Sequence, residues 1–294
     1  MNAGFEYREE VGPAAAGRTV LSWLATRYRH STEAAWRDRL AAGEVRLDGE
    51  VALAMDVLRP GQSLVWRRPP WEEPQAPLAF AVLHRDEHLL AVAKPRGLPS
   101  VPNGGFLEHT LLFRVRRHHP EAVPMHRLGR GTSGLVLFAR TEAARRRVAA
   151  EWRAGRVEKT YRALVMGVLS ADSLTIDSPI GLVPHPRLGR VHAASPAGRP
   201  AVSHVRVLAR RGDATLVEVA IPTGRPHQIR IHLAVAGHPL VGDPLYVEGG
   251  LPGPRPALPG EGGYRLHAHR LALAHPDGGR RLLLECSPPP DLRA

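Results

Sequence analysis

Cysteine is nearly absent from this 294-residue chain, where Cys286 stands alone. No disulfide can close within the chain, no thiolate metal site can be assembled, and a reducing compartment is expected. Lysine is almost as scarce: the basic residues comprise 38 arginines and two lysines, Lys94 and Lys159. Lysines this rare mark positions where arginine does not serve. No run of about 18 apolar residues occurs, which excludes a membrane-spanning helix. The opening MNAGFEYREEVG lacks the apolar core of a secretory signal, so a cytoplasmic protein is expected. The 16 histidines do not imply metal, because His227 and His232 miss the i,i+4 spacing of a helical zinc pair. Neither a metal nor a cofactor is expected.

What is present is positive charge. Forty basic residues face 28 acidic ones, giving a net charge of +12 and a pI of about 11.0. That excess suits nucleic acid or an anionic membrane surface as partner. The length can bury a sizeable core in one or two domains.

Residues 1–16 read as a flexible tail. Arg18 to Tyr28 places Val20, Leu21, Leu24, Ala25 and Tyr28 on one helical face, and Thr32 opens a second helix that stops at Gly43. Asp48-Gly49 is a two-residue hairpin turn, and Pro60-Gly61 turns the chain into the strand SLVWR. The proline-rich stretch from Arg67 to Leu78 marks a linker, placed at 69–78. Beyond it, two strand-like runs flank Arg85-Asp86-Glu87, and Thr110 caps a short helix that ends before Pro120. Met125 to Arg140 runs from a glycine-broken basic loop into the apolar strand Leu135 to Ala139. Thr141 caps the helix that follows, which ends at Gly155. Asp177 to Ser203 reads as basic loop, Gln228 to Ala236 as a helix, Gly249 to Gly263 as a surface excursion, and Arg265 to Pro276 as a strand. The class is α+β. Gly129 to Gly134 spells G-x-G-x-x-G, but a dinucleotide fingerprint must follow a strand, and these glycines precede one.

Several of these stretches together resemble the RluA-type pseudouridine synthases. HRLGRGTSGL, from His126 to Leu135, is similar to that family's HRLDR-x-TSGL. Lys94-Pro95-Arg96-Gly97 resembles its Lys-Pro-x-Gly turn, and Lys159-Thr160-Tyr161 its Lys-x-Tyr stretch. The most specific likeness is TGRPHQIRIH, from Thr223 to His232, followed by GHPLVGDPLY, from Gly237 to Tyr246. The resemblance spans about residues 80 to 290. The helices and hairpins before it resemble the small RNA-binding module of ribosomal protein S-four.

The resemblance implies a catalytic domain at 79–294 with a mixed, largely antiparallel sheet flanked by helices and loops, preceded by an RNA-binding module at 17–68. It implies isomerisation of uridine to pseudouridine in structured RNA (rRNA or tRNA), in rRNA processing, by a monomer without metal or membrane. Tyr161 would pack against the target base, and Arg230 would pair with the catalytic aspartate. Arg127, Arg130, Lys94, Lys159, Arg225, His227 and Gln228 would contact substrate. One departure matters: Gly129 stands where the family has that aspartate. The alternative is therefore a catalytically silent RNA-binding protein on the same fold. Of the acids near in sequence to the motifs, Glu142, Glu158 and Asp243, none has an evident claim to the position. Arg230 should then turn to another acid or face a solvated hole.

Overall fold

A computed structural model describes every residue except Arg29 and Pro256, the latter inside the excursion expected at Gly249 to Gly263. The chain divides into two compact units, Met1–Glu73 and Pro74–Ala294.

In the first unit two short helices lie over a four-stranded antiparallel sheet. The strands are β1 (Phe5–Glu10), β2 (Val45–Leu47), β3 (Glu50–Val51) and β4 (Ser63–Arg68), in the order β1-β4-β2-β3. The helices are α1 (Val20–Arg27) and α2 (Glu33–Ala41), and the side chains of Thr19 and Thr32 accept from the Ser22 and Ala35 N–H groups as caps. Asp48 and Gly49 both take positive φ, 51° and 94°, as the tight β2–β3 turn requires. Val20, Leu24, Trp36, Val45 and Leu64 close a core of their own. Residues 1–16, read from sequence as a flexible tail, are corrected here. Phe5–Glu10 pairs along its whole length with β4, and Val11 and Ala15 are buried. The charged run FEYREE hides an edge strand, whose polar residues suit its exposed position.

The second unit is organised by one ten-stranded sheet. Its strands are β5 (Ala81–Arg85), β6 (Leu89–Lys94), β7 (Val123–Pro124), β8 (Ser133–Ala139), β9 (Glu158–Met166), β10 (Ser173–Ile176), β13 (Ser203–Arg211), β14 (Ala214–Ala220), β15 (Leu266–Ala274) and β16 (Arg281–Glu285). The order is β10-β13-β14-β9-β15-β8-β6-β5, with β16 on β15 and β7 on β8. Every pairing is antiparallel except the short β15–β8 contact. The helices are α3 (Leu111–Arg116), α4 (Glu142–Arg153) and α5 (Gln228–Val235). Strand β8 is buried along its whole length, because both faces are covered. Asp177 to Ser203, expected as loop, contains the hairpin β11 (Ile180–His185) and β12 (Gly189–Ala194), a separate two-stranded sheet. Pro184 in β11 obscured the alternation; a proline is tolerated there because a two-stranded ribbon leaves outward N–H groups unpaired anyway. Among the described residues no helix is long and apolar enough to cross a membrane.

The junction of β8 and β15 fixes the loop before β8. Gly134 has φ +114°, and a Cβ there would lie 2.2 Å from the Ala268 carbonyl oxygen. Only glycine lets the two backbones come this close. Gly134→Ala should therefore destabilise the fold by about 3 kcal/mol or more. Gly260→Ala, where nothing lies within 4 Å, should be near neutral. Paired denaturant titrations check this, and equal midpoints would contradict it.

Candidate active site

The loop Met125 to Thr132 is held from below by the turn Lys94 to Ser100. The Gly97 N–H donates to the Arg130 carbonyl at 2.8 Å, and the Ser100 hydroxyl donates to the Leu128 carbonyl at 2.8 Å. Lys94, 1% exposed, sends its ammonium to the carbonyls of Pro95, Leu98 and Arg130 at 2.9, 2.7 and 3.3 Å. Burial, and after it the nearby Arg96 charge, pull its pKa down to about 7, while the three carbonyl acceptors favour the charged form. The expectation that Lys94 touches substrate is thus corrected: all three of its hydrogens are turned inward. Arginine could not serve here, since its planar fork cannot point at three converging carbonyls. Gln228 is corrected likewise. It is 3% exposed, donates to the Val202 carbonyl and Ser203 hydroxyl, and accepts from Thr223 and the Arg225 N–H.

Arg230 lies in α5 and is the electrostatic centre of the site. Its Nε and Nη2 donate to the two oxygens of Asp243, each at 2.7 Å, with side-chain exposures of 3% and 1%. Its Nη1 donates to the Pro259 carbonyl at 3.0 Å. The guanidinium also lies 4.2 Å from the Tyr264 ring and 4.9 Å from that of Tyr246. Burial alone would lower the pKa of Arg230, but the hydrogen bonds to Asp243 outweigh it and hold the pKa above the ordinary value. Asp243 Oδ1 further accepts from the Leu245 and Tyr246 N–H groups. With four donors on two oxygens, Asp243 has little capacity left for chemistry. Sequence reading discounted this acid, although it lies in the GDP motif. Gly242 and Gly263 touch, since a Cβ on Gly242 would lie 2.6 Å from the Gly263 carbonyl oxygen. This contact brings the neighbours Asp243 and Tyr264 to Arg230 together.

Gly129 reaches the same cluster through Tyr264, because a Cβ on Gly129 would lie 2.8 Å from the Tyr264 hydroxyl. Tyr161 on β9 is half-buried and packs against the apolar cluster that contains Tyr264. Burial pushes its phenol up to about 12, so it stays neutral. Tyr264 thus touches two of the three positions expected to carry catalysis, Gly129 and Arg230. Nothing in the sequence singled it out.

The remaining positions spread around this centre. Arg127 is exposed, while Arg130 donates to the Gly260 carbonyl at 2.7 Å and lies 5.5 Å from the Phe106 ring. Arg225 donates to the Pro200 carbonyl at 2.9 Å. Lys159 is half-buried near the Thr223 carbonyl and the Trp152 ring, and burial lowers its pKa. His227 sits at φ 57° ahead of α5, with Nδ1 2.6 Å from the Tyr246 hydroxyl. That hydroxyl donates onward to the His192 carbonyl, so His227 Nδ1 is the donor and Nε2 keeps its lone pair. Burial, then the Arg230 charge, holds His227 down at about 3. His126, the first residue of HRLGR, accepts the Leu137 N–H and stacks on Trp152. His267 and His269 both bond the Cys286 carbonyl.

With that geometry in place, likeness to known proteins decides the family. A family model described as RNA pseudouridylate synthase matches residues 88–235. An uncharacterised RNA pseudouridine synthase of Synechocystis sp. is 42% identical over 276 residues, 93% of this chain and 95% of that one. The chain belongs to the RNA pseudouridylate synthase family. A ribosomal large subunit pseudouridine synthase D of Pseudomonas aeruginosa is 35% identical over 282 residues, covering 87% of this chain and 85% of its own. The solved structure of human RNA pseudouridylate synthase domain containing 1 superposes with a TM-score of 0.58 at 25% identity, over 74% of this chain and 87% of that one. The family's mixed, largely antiparallel sheet is the one found here, and its members are isomerases of RNA.

Two outcomes follow from the site. Asp243→Asn would leave the Arg230 guanidinium buried without its counter-charge and should cost about 3–5 kcal/mol; a chemical melt within about 1.4 kcal/mol of the parent, one tenfold step, would contradict it. The second concerns acid. Burial depresses His126 to about 4, His227 to about 3 and His267 to about 4, from an ordinary 6.5. The unfolded chain binds these protons first, so their stabilising contribution is complete above about pH 6.5. It fades as pH falls toward 4, by up to about 1.4 kcal/mol per pH unit for each histidine. Thermal melts from pH 7.5 to 4.5 should show the Tm falling below pH 6.5, and a level profile would contradict neutral burial.

Proposed function

We propose that this chain isomerises uridine to pseudouridine in structured ribosomal or transfer RNA, as a cytoplasmic monomer without cofactor. The observation that supports it most is the near full-length likeness to RNA pseudouridine synthases. A relative named for the ribosomal large subunit favours rRNA. In this reading residues 17–68 form an RNA-binding module and 79–294 the catalytic domain. The exposed Arg127, with Arg130 and Arg225, takes phosphates, and Tyr161 meets the base once it has left its stack, a step that costs a few kcal/mol. Lys159 and His227 line the approach to α5.

Gly129 favours a second reading, RNA binding without isomerisation, because the position offers no carboxylate to act as nucleophile or base. Incubating purified protein with unmodified rRNA and tRNA transcripts, then mapping pseudouridine by mass spectrometry, separates the two. Site-specific product is expected; binding with no product supports the silent reading. Affinity should also fall roughly 10³-fold or more between 50 and 200 mM salt if six or more phosphates are contacted. A flat salt response in filter binding would count against both readings.

A further inference from the structure

We propose that Tyr264 occupies the place of a side chain at position 129, so that a carboxylate at 129 and a hydroxyl at 264 exclude one another. Gly129 and Gly131 are glycines for the sake of this tyrosine. Neither adopts a left-handed backbone, so conformation does not demand glycine at either position. What demands it is space. A Cβ on Gly129 would meet the Tyr264 hydroxyl at 2.8 Å; the next neighbour is Thr132 Oγ1 at 3.6 Å, an ordinary contact. A Cβ on Gly131 would meet Tyr264 Cε1 and Cζ at 2.7 and 2.8 Å. The ring therefore lies across both glycines, with its hydroxyl end over Gly129 and its edge over Gly131.

The tyrosine cannot easily retreat. It is 1% exposed, its hydroxyl shares a 3.2 Å hydrogen bond with Thr132, and its ring lies 4.2 Å from the Arg230 guanidinium. The contact between Gly242 and Gly263 pins the backbone just before it. The same ring whose hydroxyl end meets position 129 lies against the Arg230 guanidinium, which Asp243 already binds bidentately. The ionisable group presented to the HRLGR loop beside Arg230 is thus the phenol of residue 264. Gly129 is one member of a matched set of three residues, and the site cannot regain a carboxylate by one substitution.

The two contacts differ in kind, which gives the test its resolution. Tyr264→Phe removes the hydroxyl that blocks position 129 but keeps the ring edge that blocks position 131. Thermal melts are compared for Gly129→Asp, Gly129→Ala and Gly131→Ala, each with Tyr264 and with Tyr264→Phe. With Tyr264 present, all three should lower the Tm by roughly 3–10 °C. In the Tyr264→Phe background the two changes at 129 should lose most of that penalty, while Gly131→Ala keeps it. Gly129→Asp melting like the parent, or a penalty unchanged by Tyr264→Phe, overturns the proposal. None of these readouts uses RNA, so they stand apart from the isomerase reading. On RNA, Gly129→Asp with Tyr264→Phe should form pseudouridine at least about 100-fold faster than Gly129→Asp alone. Equal, substantial rates from the two would also overturn the exchange. A thermal rescue with no product would uphold it and fault instead the assignment of residue 129 as the reacting position.

Discussion

The buried pairing of Arg230 with Asp243 is the interaction on which the site depends. A guanidinium this enclosed is tolerable only when every donor is met and the counter-charge is close. Here α5 supplies the cation, the GDP segment supplies the anion, and two tyrosine rings flank the plane. The pair ties α5 to the GDP segment 13 residues further along, so one electrostatic contact fixes these two segments against each other. The glycines before Asp243 and Tyr264 exist because the two segments carrying them must touch.

Much of the fold was legible in the sequence because local signals agreed with tertiary need. Thr32, Thr110 and Thr141 each sit at a helix start and cap it, and Asp48-Gly49 forms the turn its type requires. The misreadings have physical causes. Phe5–Glu10 is an edge strand whose charges, suited to solvent, imitate a tail, and Pro184 masks the β11–β12 hairpin. Motif residues were legible as positions but not as roles. Lys94 and Gln228 stand in substrate-binding motifs yet brace the backbone, because a motif records which residues recur and not which way they point. Tyr264 was invisible, since its significance comes from lying across two glycines more than 130 positions away, a contact only the fold creates.

In the proposed reading, binding and chemistry rest on different parts of this site. There RNA affinity would draw on arginines spread over loops, whose loss is graded and sensitive to salt. In the same reading the chemistry would draw on one small cluster, where Gly129 meets Tyr264 and Tyr264 lies against Arg230. A change at Gly129 would alter the packing of Tyr264 and, through it, the surroundings of Arg230.

The central claim, that this member of the family modifies uridines in cellular RNA, is tested most directly by pseudouridine maps of rRNA and tRNA from cells with and without the gene. The account predicts that one or a few sites vanish in its absence and return when the wild-type chain is restored. Maps that match at every position, from cells where the protein is made and bound to RNA, would contradict it.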